Sequence, residues 1–166
     1  RHDEIKIQNR HIISTALTYT GNRNCLIMNI YVPGQPEQAL RVIEDIIKCL
    51  NTYYTPPSMT SQYCSLLIMG DFNTHLCCKA CPYFSPTNYD AEVNTHFEHS
   101  AGGNSLNVMM GDFNLGIPQD LLKTEVPSFI GNNSGTTIDF AIINKAEGKL
   151  YEETLRLWAG WGDHNP

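Results

Sequence analysis

Residues 65–73 read SLLIMGDFN, and they are the clearest indication of the fold class. Its first part is short and almost wholly apolar, which is typical of a strand buried inside a sheet that helices cover. The glycine, aspartate and asparagine that follow are residues that commonly end a strand in a turn. The stretch therefore predicts a buried strand whose carboxyl end presents two polar side chains together, those of Asp71 and Asn73.

The segments around this strand alternate between strand-like and helix-like patterns. Residues 12–19 and 25–31 are apolar and β-prone with a turn-like GNRN sequence between them, so a β-hairpin is expected. Residues 138–143 (IDFAII) predict a further buried strand. A helix is expected to begin at Pro36 and to carry one apolar face. The members of that face are Leu40, Ile43, Ile46, Ile47 and Leu50. This alternation predicts an α/β or α+β domain in which helices cover a sheet.

Length and composition indicate one folded unit. The chain has 166 residues, of which 42% are apolar, so a single domain over residues 1–166 is expected. No apolar run reaches the roughly 18 residues that a membrane-spanning helix needs, and no secretory leader is recognised, so no membrane association is expected. The net charge of -6 argues against a strong nonspecific nucleic-acid binder, because phosphate contacts are normally made by Lys and Arg. A metal site built from carboxylates would account for part of that acidity.

The 6 cysteines fall into two groups. Cys25, Cys49 and Cys64 lie in apolar runs, where a thiol behaves as a small hydrophobic group, and they are expected in the core. Residues 77–81 (CCKAC), preceded by His75, form a cluster that could hold Zn²⁺, although the paired CxxC spacing of structural zinc sites is missing. That zinc site stays an open alternative. A reducing, intracellular compartment is favoured over disulfide formation.

Acidic residues and one histidine carry the predicted chemistry. Asp71 follows the buried strand, Asp139 stands at the start of another strand, and Asp163 is adjacent to His164. Carboxylates bind hard cations such as Mg²⁺, one carboxylate can orient or deprotonate a water, and an imidazole can stabilise charge on a phosphate. This set predicts metal-assisted phosphodiester hydrolysis. The simpler alternative is that GDFN is an ordinary strand-to-turn transition.

Four motifs in order then suggest a family. Residues 29–33 (NIYVP), 70–73 (GDFN), 138–140 (IDF) and 163–166 (DHNP) resemble the successive NxYxP, GDFN, ID(Y/F) and SDHxP motifs of the endonuclease/exonuclease/phosphatase superfamily. The chain most resembles the apurinic-like endonuclease domains of non-LTR retrotransposons. The resemblance implies a four-layered α/β/β/α sandwich that is incomplete at its N-terminus. It also implies Mg²⁺ as cofactor, with Mn²⁺ as the alternative, DNA as partner, and a nuclear location if the element is eukaryotic.

The resemblance also implies roles for the residues of the first two motifs. Asp71 would position or activate the attacking water, and Asn73 would contact the scissile phosphate. Tyr31 would reach the same phosphate, while Asn29 would support the site from behind these residues.

The last two motifs would supply the metal ligand and the imidazole. Asp163 would help to hold Mg²⁺. Asp139 would orient His164, whose protonated ring would stabilise charge on the phosphate.

A second GDFN at residues 111–114 complicates the assignment. In the retrotransposon domains a helix and then a strand with an Asn-Leu step precede a Pro-Thr-Phe segment, and residues 114–115 and 127–129 fill that pattern. Asp71 is therefore assigned the catalytic role, and Asp112 is expected to be a turn residue between a helix and a strand.

Two departures from the family pattern keep other functions open. The family's metal-binding glutamate lies well upstream of NxYxP, and this sequence begins too late to include it; Gly162 also replaces the usual serine before the Asp-His pair. The expected function is a Mg²⁺-dependent phosphodiester hydrolase, a DNA-nicking endonuclease of a retroelement. The alternatives are a noncatalytic remnant that serves as a binding module, and a phosphatase or phosphodiesterase acting on lipids or small phosphoesters.

Overall fold

The computed structural model describes residues 2–3, 11–18, 24–54, 65–76, 100–118, 127–130 and 135–144. The predicted features at Cys64, at residues 77–81 and at residues 163–166 lie outside these ranges. The described elements, in chain order, are β1 (His2–Asp3), β2 (Ile12–Thr18), β3 (Asn24–Tyr31), α1 (Pro36–Tyr53), β4 (Ser65–Asp71), α2 (Ala101–Asp112), β5 (Leu115–Gly116), β6 (Phe129–Ile130), β7 (Gly135–Thr136) and β8 (Asp139–Asn144).

A mixed sheet organises the described part of the chain. The six described strands of this sheet lie in the order β1-β2-β3-β4-β8-β5. The strands β6 and β7 form a separate two-stranded sheet. The predicted hairpin is confirmed, because β2 and β3 pair antiparallel over seven register positions, from Ile12 with Ile30 to Thr18 with Asn24. β4 pairs parallel with β3 on one side and antiparallel with β8 on the other, so it is a central strand. This position explains why its sequence is almost wholly apolar.

The predicted helix is confirmed as α1, which connects the parallel strands β3 and β4. It begins at Pro36, where the fixed φ of proline suits a first turn that needs no backbone donor. Its C-cap is Tyr54, whose N–H donates to the carbonyl of Leu50. The buried residues are Ala39, Val42, Ile43, Ile46, Cys49 and Leu50. The predicted apolar face is therefore confirmed for Ile43, Ile46 and Leu50. Leu40 and Ile47 lie half-buried at the edges of that face.

One face of the sheet packs against the helices. Register partners on adjacent strands project from the same face, and the pairs Leu26–Leu66 and Met28–Ile68 are fully buried. Ile142 of β8 lies beside Ile68 in the same row. These residues belong to one apolar cluster with the buried residues of α1 and α2. The helices therefore cover this face, and the side chains of the alternate positions project from the other.

The segment before the second GDFN forms α2, which packs against α1. The Ser100 hydroxyl caps the helix by accepting a hydrogen bond from the Gly103 N–H at 3.0 Å. Leu106, Met109 and Met110 are its large buried side chains. The sequence indicated only an apolar pattern from residue 105, and the helix begins four residues earlier than that pattern, at Ala101.

The free cysteines among the described residues behave as predicted for core positions. Cys25 and Cys49 are both buried and neither forms a disulfide. Burial raises the pKa of the Cys49 thiol to about 11, although a hydrogen bond with Ser14 acts in the opposite direction. Among the helices that the structure describes, none is long and apolar enough to cross a membrane.

Candidate active site

Three predicted site residues occupy one row across the sheet. Tyr31 of β3 is the register partner of Asp71 of β4, and Asp71 is the register partner of Asp139 of β8. Directly paired residues have Cα atoms about 5 Å apart and project from the same face of the sheet. The phenol and the two carboxylates therefore stand side by side on the face opposite the helices, at the carboxyl end of β3 and β4.

Asn73 holds the Asp71 carboxylate in place. The Asn73 N–H donates to Asp71 Oδ1 at 2.8 Å, and its side-chain Nδ2 donates to Asp71 Oδ2 at 3.4 Å and to the carbonyl of Val32 at 2.7 Å. These contacts need a left-handed backbone at Asn73, where φ is 44°. Asparagine tolerates this conformation better than most residues. The loop after β4 is thereby tied to the end of β3, and the carboxylate and amide form one unit.

Tyr31 remains accessible at the end of β3. Its side chain is 49% exposed, and its ring stacks with the imidazole of His11 at a centroid separation of 6.1 Å and an interplanar angle of 22°. The Tyr31 N–H also donates to the His11 carbonyl at 2.8 Å. His11 therefore fixes both the backbone and the ring of Tyr31, while the exposed part of the ring can meet a ligand. The sequence carried no spacing signal that pointed to His11.

The first GDFN requires a glycine at position 70 for a steric reason. Gly70 has φ of 141°, and a Cβ there would lie 1.9 Å from the carbonyl oxygen of Ile30 on the neighbouring strand. Only a residue without a side chain allows β3 and β4 to approach this closely just before Asp71. The phenylalanine of the motif is fully buried and stacks on Phe140 of β8, with ring centroids 4.0 Å apart. The motif thus anchors the central strand to both of its neighbours.

The segment that carries Asp139 is fixed by a residue that the sequence did not single out for chemistry. The hydroxyl of Ser128 accepts hydrogen bonds from the backbone N–H groups of Ile138 and Asp139, both at 3.0 Å. The only hint in the sequence was that Ser128 fills the Pro-Thr-Phe pattern, in which a hydroxyl residue stands at this position.

The second GDFN joins a helix to a strand, as predicted, but its aspartate is the last helical residue and the turn is made by the two residues that follow. Asp112 is exposed and ends α2, and the strand β5 begins three residues later at Leu115. Asn114 has a positive φ of 52°, close to the 44° of Asn73 in the first copy. The same four letters therefore make a left-handed turn at both positions, but only the first copy places its aspartate beside another carboxylate on a neighbouring strand.

The remaining predicted residues are only partly described. Asn29 is exposed on β3 and pairs with Met69, so it lies on the same face as Tyr31 and one pleat further from the strand end. Asp163 and His164 lie outside the described residues. His75 is half-buried close after the first GDFN, but the cysteines predicted to accompany it are also outside.

Within the described ranges, no group of three or more His, Cys, Asp and Glu side chains could hold a metal ion. Asp71 and Asp139 are nevertheless oxygen donors on adjacent strands, and oxygen donors are what Mg²⁺ prefers. The chemistry of these donors fits a divalent cation, but at least one further ligand would have to come from elsewhere in the chain.

Solved structures share this fold at low sequence identity. NExo from Neisseria, described as a 3′ phosphatase and bound to a product DNA hairpin, matches with a TM-score of 0.58 and 14% identity, over 99% of this chain and 67% of that one. NExo from Neisseria meningitidis, described as a 3′-5′ exonuclease, matches with a TM-score of 0.57 and 18% identity over the same shares. The catalytic domain of Xenopus laevis APE2 gives a TM-score of 0.52 and 16% identity, over 86% of this chain and 48% of that one.

The chain has the mixed α/β fold of the endonuclease/exonuclease/phosphatase type that its motifs predicted. No protein-family model matches it, and no curated protein sequence does either. At these identities the likeness establishes the fold, and the activity has to be argued from the site itself.

Proposed function

We propose that this chain is a metal-dependent phosphodiester hydrolase that nicks DNA, of the type that retroelements use. The observation that carries the proposal is the row of Tyr31, Asp71 and Asp139 on one face at the strand ends. The fold adds support, because NExo, which shares it, was solved with a DNA hairpin product. Such an enzyme would work on nuclear DNA in a eukaryotic cell, and residues 1–166 would form one domain.

The proposed roles follow from where each side chain stands. Asp71 orients or deprotonates the attacking water, since Asn73 fixes the orientation of both of its carboxylate oxygens. Tyr31, which is 49% exposed, donates a hydrogen bond from its hydroxyl to the phosphate. The side-chain Nδ2 of Asn73 donates to the Val32 carbonyl at 2.7 Å. Asn73 can therefore contact the phosphate only if this hydrogen bond breaks or is shared with the phosphate. Its first function is to hold Asp71.

The other half of the proposed site joins Asp139 to residues outside the described ranges. Asp139 orients the imidazole of His164, and a protonated imidazole stabilises the charge that develops on the phosphate. Asp163 would help to hold the cation, Mg²⁺ or Mn²⁺. The chemistry that this cation would supply is polarisation of the phosphate and stabilisation of the charge on the leaving oxygen. Asn29 supports the row from the next pleat.

A substrate panel tests this proposal. Supercoiled plasmid is incubated with the chain in Mg²⁺, in Mn²⁺ and in a chelator, and nicking is followed by conversion to the open circle. Nicking with either metal and none with the chelator is expected. Asp139→Asn should reduce the rate by on the order of 100-fold, as loss of a group that orients a catalytic imidazole does. Asp45→Asn is the matched control, because Asp45 is half-exposed on α1, where it forms an ion pair with Lys48 and lies outside the row of candidate site residues.

A second candidate activity is hydrolysis of a phosphomonoester or a small phosphodiester. The net charge of -6 favours it, since a small substrate needs fewer basic contacts than a DNA backbone. The same panel therefore includes an oligonucleotide with a 3′ phosphate and vesicles that contain a phosphoinositide. Phosphate release from either with intact plasmid would favour this candidate. Inactivity on every substrate would favour a noncatalytic binding module.

A further inference from the structure

Ser128 bridges two parts of the backbone that meet at the candidate site. It stands directly before β6, and its side chain is only 3% exposed. Its hydroxyl oxygen accepts hydrogen bonds from two consecutive N–H groups, those of Ile138 and Asp139, each at 3.0 Å. A hydroxyl oxygen has two acceptor lone pairs, so both are used by this pair of donors.

The two N–H groups belong to the peptides that deliver Asp139 to the sheet. The carbonyl of Ile138 accepts a hydrogen bond from the N–H of Phe72 at 2.8 Å, and Asp139 is the register partner of Asp71. Ile138 is thus held from both sides: its carbonyl accepts from Phe72, just after β4, and its N–H donates to Ser128. The start of β8 cannot shift along β4 without breaking these bonds.

We infer that Ser128 is a positioning residue for Asp139. Its buried hydroxyl is engaged with two backbone N–H groups, so it acts by fixing the backbone from which the Asp139 carboxylate projects. The effect on reaction rate rests on the proposed function, because it matters only if Asp139 serves the reaction. A displacement of about 1 Å in such a group can reduce the rate on the order of 100-fold.

Three variants separate positioning from general stability. Ser128→Ala removes the acceptor, Ser128→Thr keeps it, and Ser14→Ala is the control. Ser14 is also 3% exposed and lies on β2, where it hydrogen-bonds the thiol of Cys49 on the helix-covered face. Ser128→Ala should lower kcat for plasmid nicking by about 10- to 100-fold with little change in KM. Ser128→Thr should restore most of kcat, and Ser14→Ala should leave it unchanged.

A second readout does not depend on activity. Hydrogen exchange followed by NMR should show the amides of Ile138 and Asp139 exchanging at least about tenfold faster in Ser128→Ala than in the wild type, while Ser14→Ala leaves them protected. If Ser128→Ala does not fold, Ser128→Cys replaces it, because cysteine keeps the shape of serine but its larger sulfur is only a weak acceptor. Unchanged exchange at these amides, or a normal kcat in an active and folded Ser128→Ala protein, overturns the inference.

The two proposals fail in distinguishable ways. A wild-type chain that cleaves no phosphoester in any metal removes the proposed function, and the exchange measurement still decides whether Ser128 fixes the Asp139 backbone. An active wild type whose kcat is insensitive to Ser128→Ala removes the positioning role and leaves the proposed function standing.

Discussion

The same substitution in the two GDFN copies should have opposite effects on stability. Gly70→Ala introduces a Cβ 1.9 Å from the Ile30 carbonyl oxygen and 2.9 Å from its carbon, and real Cβ atoms essentially never come closer than 3.0 Å to a neighbour. The backbone at Gly70, with φ of 141°, is also strained for any residue that has a side chain. Gly111 lies in α2 and is exposed, where alanine is the better residue.

The size of each effect can be worked out from these two contexts. The unfavourable φ costs about 1–3 kcal/mol, and forcing a methyl group into the contact between β3 and β4 costs about 1–3 kcal/mol more. Gly70→Ala should therefore lower the free energy of unfolding by about 2–6 kcal/mol, against a typical total of about 5–15 kcal/mol for a domain. Gly111→Ala should raise it by up to about 1 kcal/mol, because glycine in a helix is disfavoured by that amount.

Urea unfolding followed by circular dichroism measures both values, with the slope of free energy against urea used to check that the transition stays two-state. An unfolding free energy for Gly70→Ala within about 1 kcal/mol of the wild type, a margin within the usual effect of a single substitution, would refute the close approach of β3 and β4. An equal loss of stability in both variants would show that the two copies share one structural context.

The other predictions concern the contacts around the site and the core beneath it. A double-mutant cycle of Phe72→Leu and Phe140→Leu should give a coupling free energy of about 0.5–1.5 kcal/mol for the stacked rings, and a value near zero in urea unfolding would contradict the stacking. Asn73→Asp should lower the free energy of unfolding by about 1–3 kcal/mol, because it removes the donor to the Val32 carbonyl and places a second charge beside Asp71; a stability equal to that of the wild type would exclude this role. Because burial raises the pKa of Cys49 from 9.0 to about 11, the folded state holds the thiol proton more tightly than the unfolded chain does. The contribution of this thiol to the free energy of unfolding should be complete below about pH 9 and should fall by about 1.4 kcal/mol per pH unit between pH 9 and 11. Urea unfolding of the wild type and of Cys49→Ala at several pH values measures this fall as the change in the difference between their unfolding free energies.

Local pattern was sufficient for the elements that alternate clearly. The hairpin of β2 and β3, the helix from Pro36 and the strand that contains Asp71 all follow from the spacing of apolar residues and the placement of turn residues. The start of α2 was not evident, because glycines and asparagine dominate its first turn. Burial of residues such as Leu106 and Met109 outweighs that weak propensity, and sequence spacing does not report such tertiary contacts.

The sequence identified candidate site residues but not how they are arranged. Motif order identified Tyr31, Asp71 and Asp139 as candidates, whereas their alignment in one row depends on the register of a parallel and an antiparallel pairing across long stretches of chain. Register of this kind is set by which faces are buried, and it is known only once the strands are paired. Ser128 and His11 act through contacts distant in sequence, and neither lies in a motif whose spacing assigns it that role.

We propose that the first GDFN, and not the second, builds a hydrolytic site. Nicking of supercoiled plasmid in Mg²⁺ by the wild type, Asp71→Asn and Asp112→Asn tests this, since the two variants make the same change in the same four-residue motif. The proposed function predicts metal-dependent nicking that falls by on the order of 100-fold or more in Asp71→Asn and is unchanged in Asp112→Asn. Nicking by Asp71→Asn at the wild-type rate, or an equal loss in both variants, would contradict it.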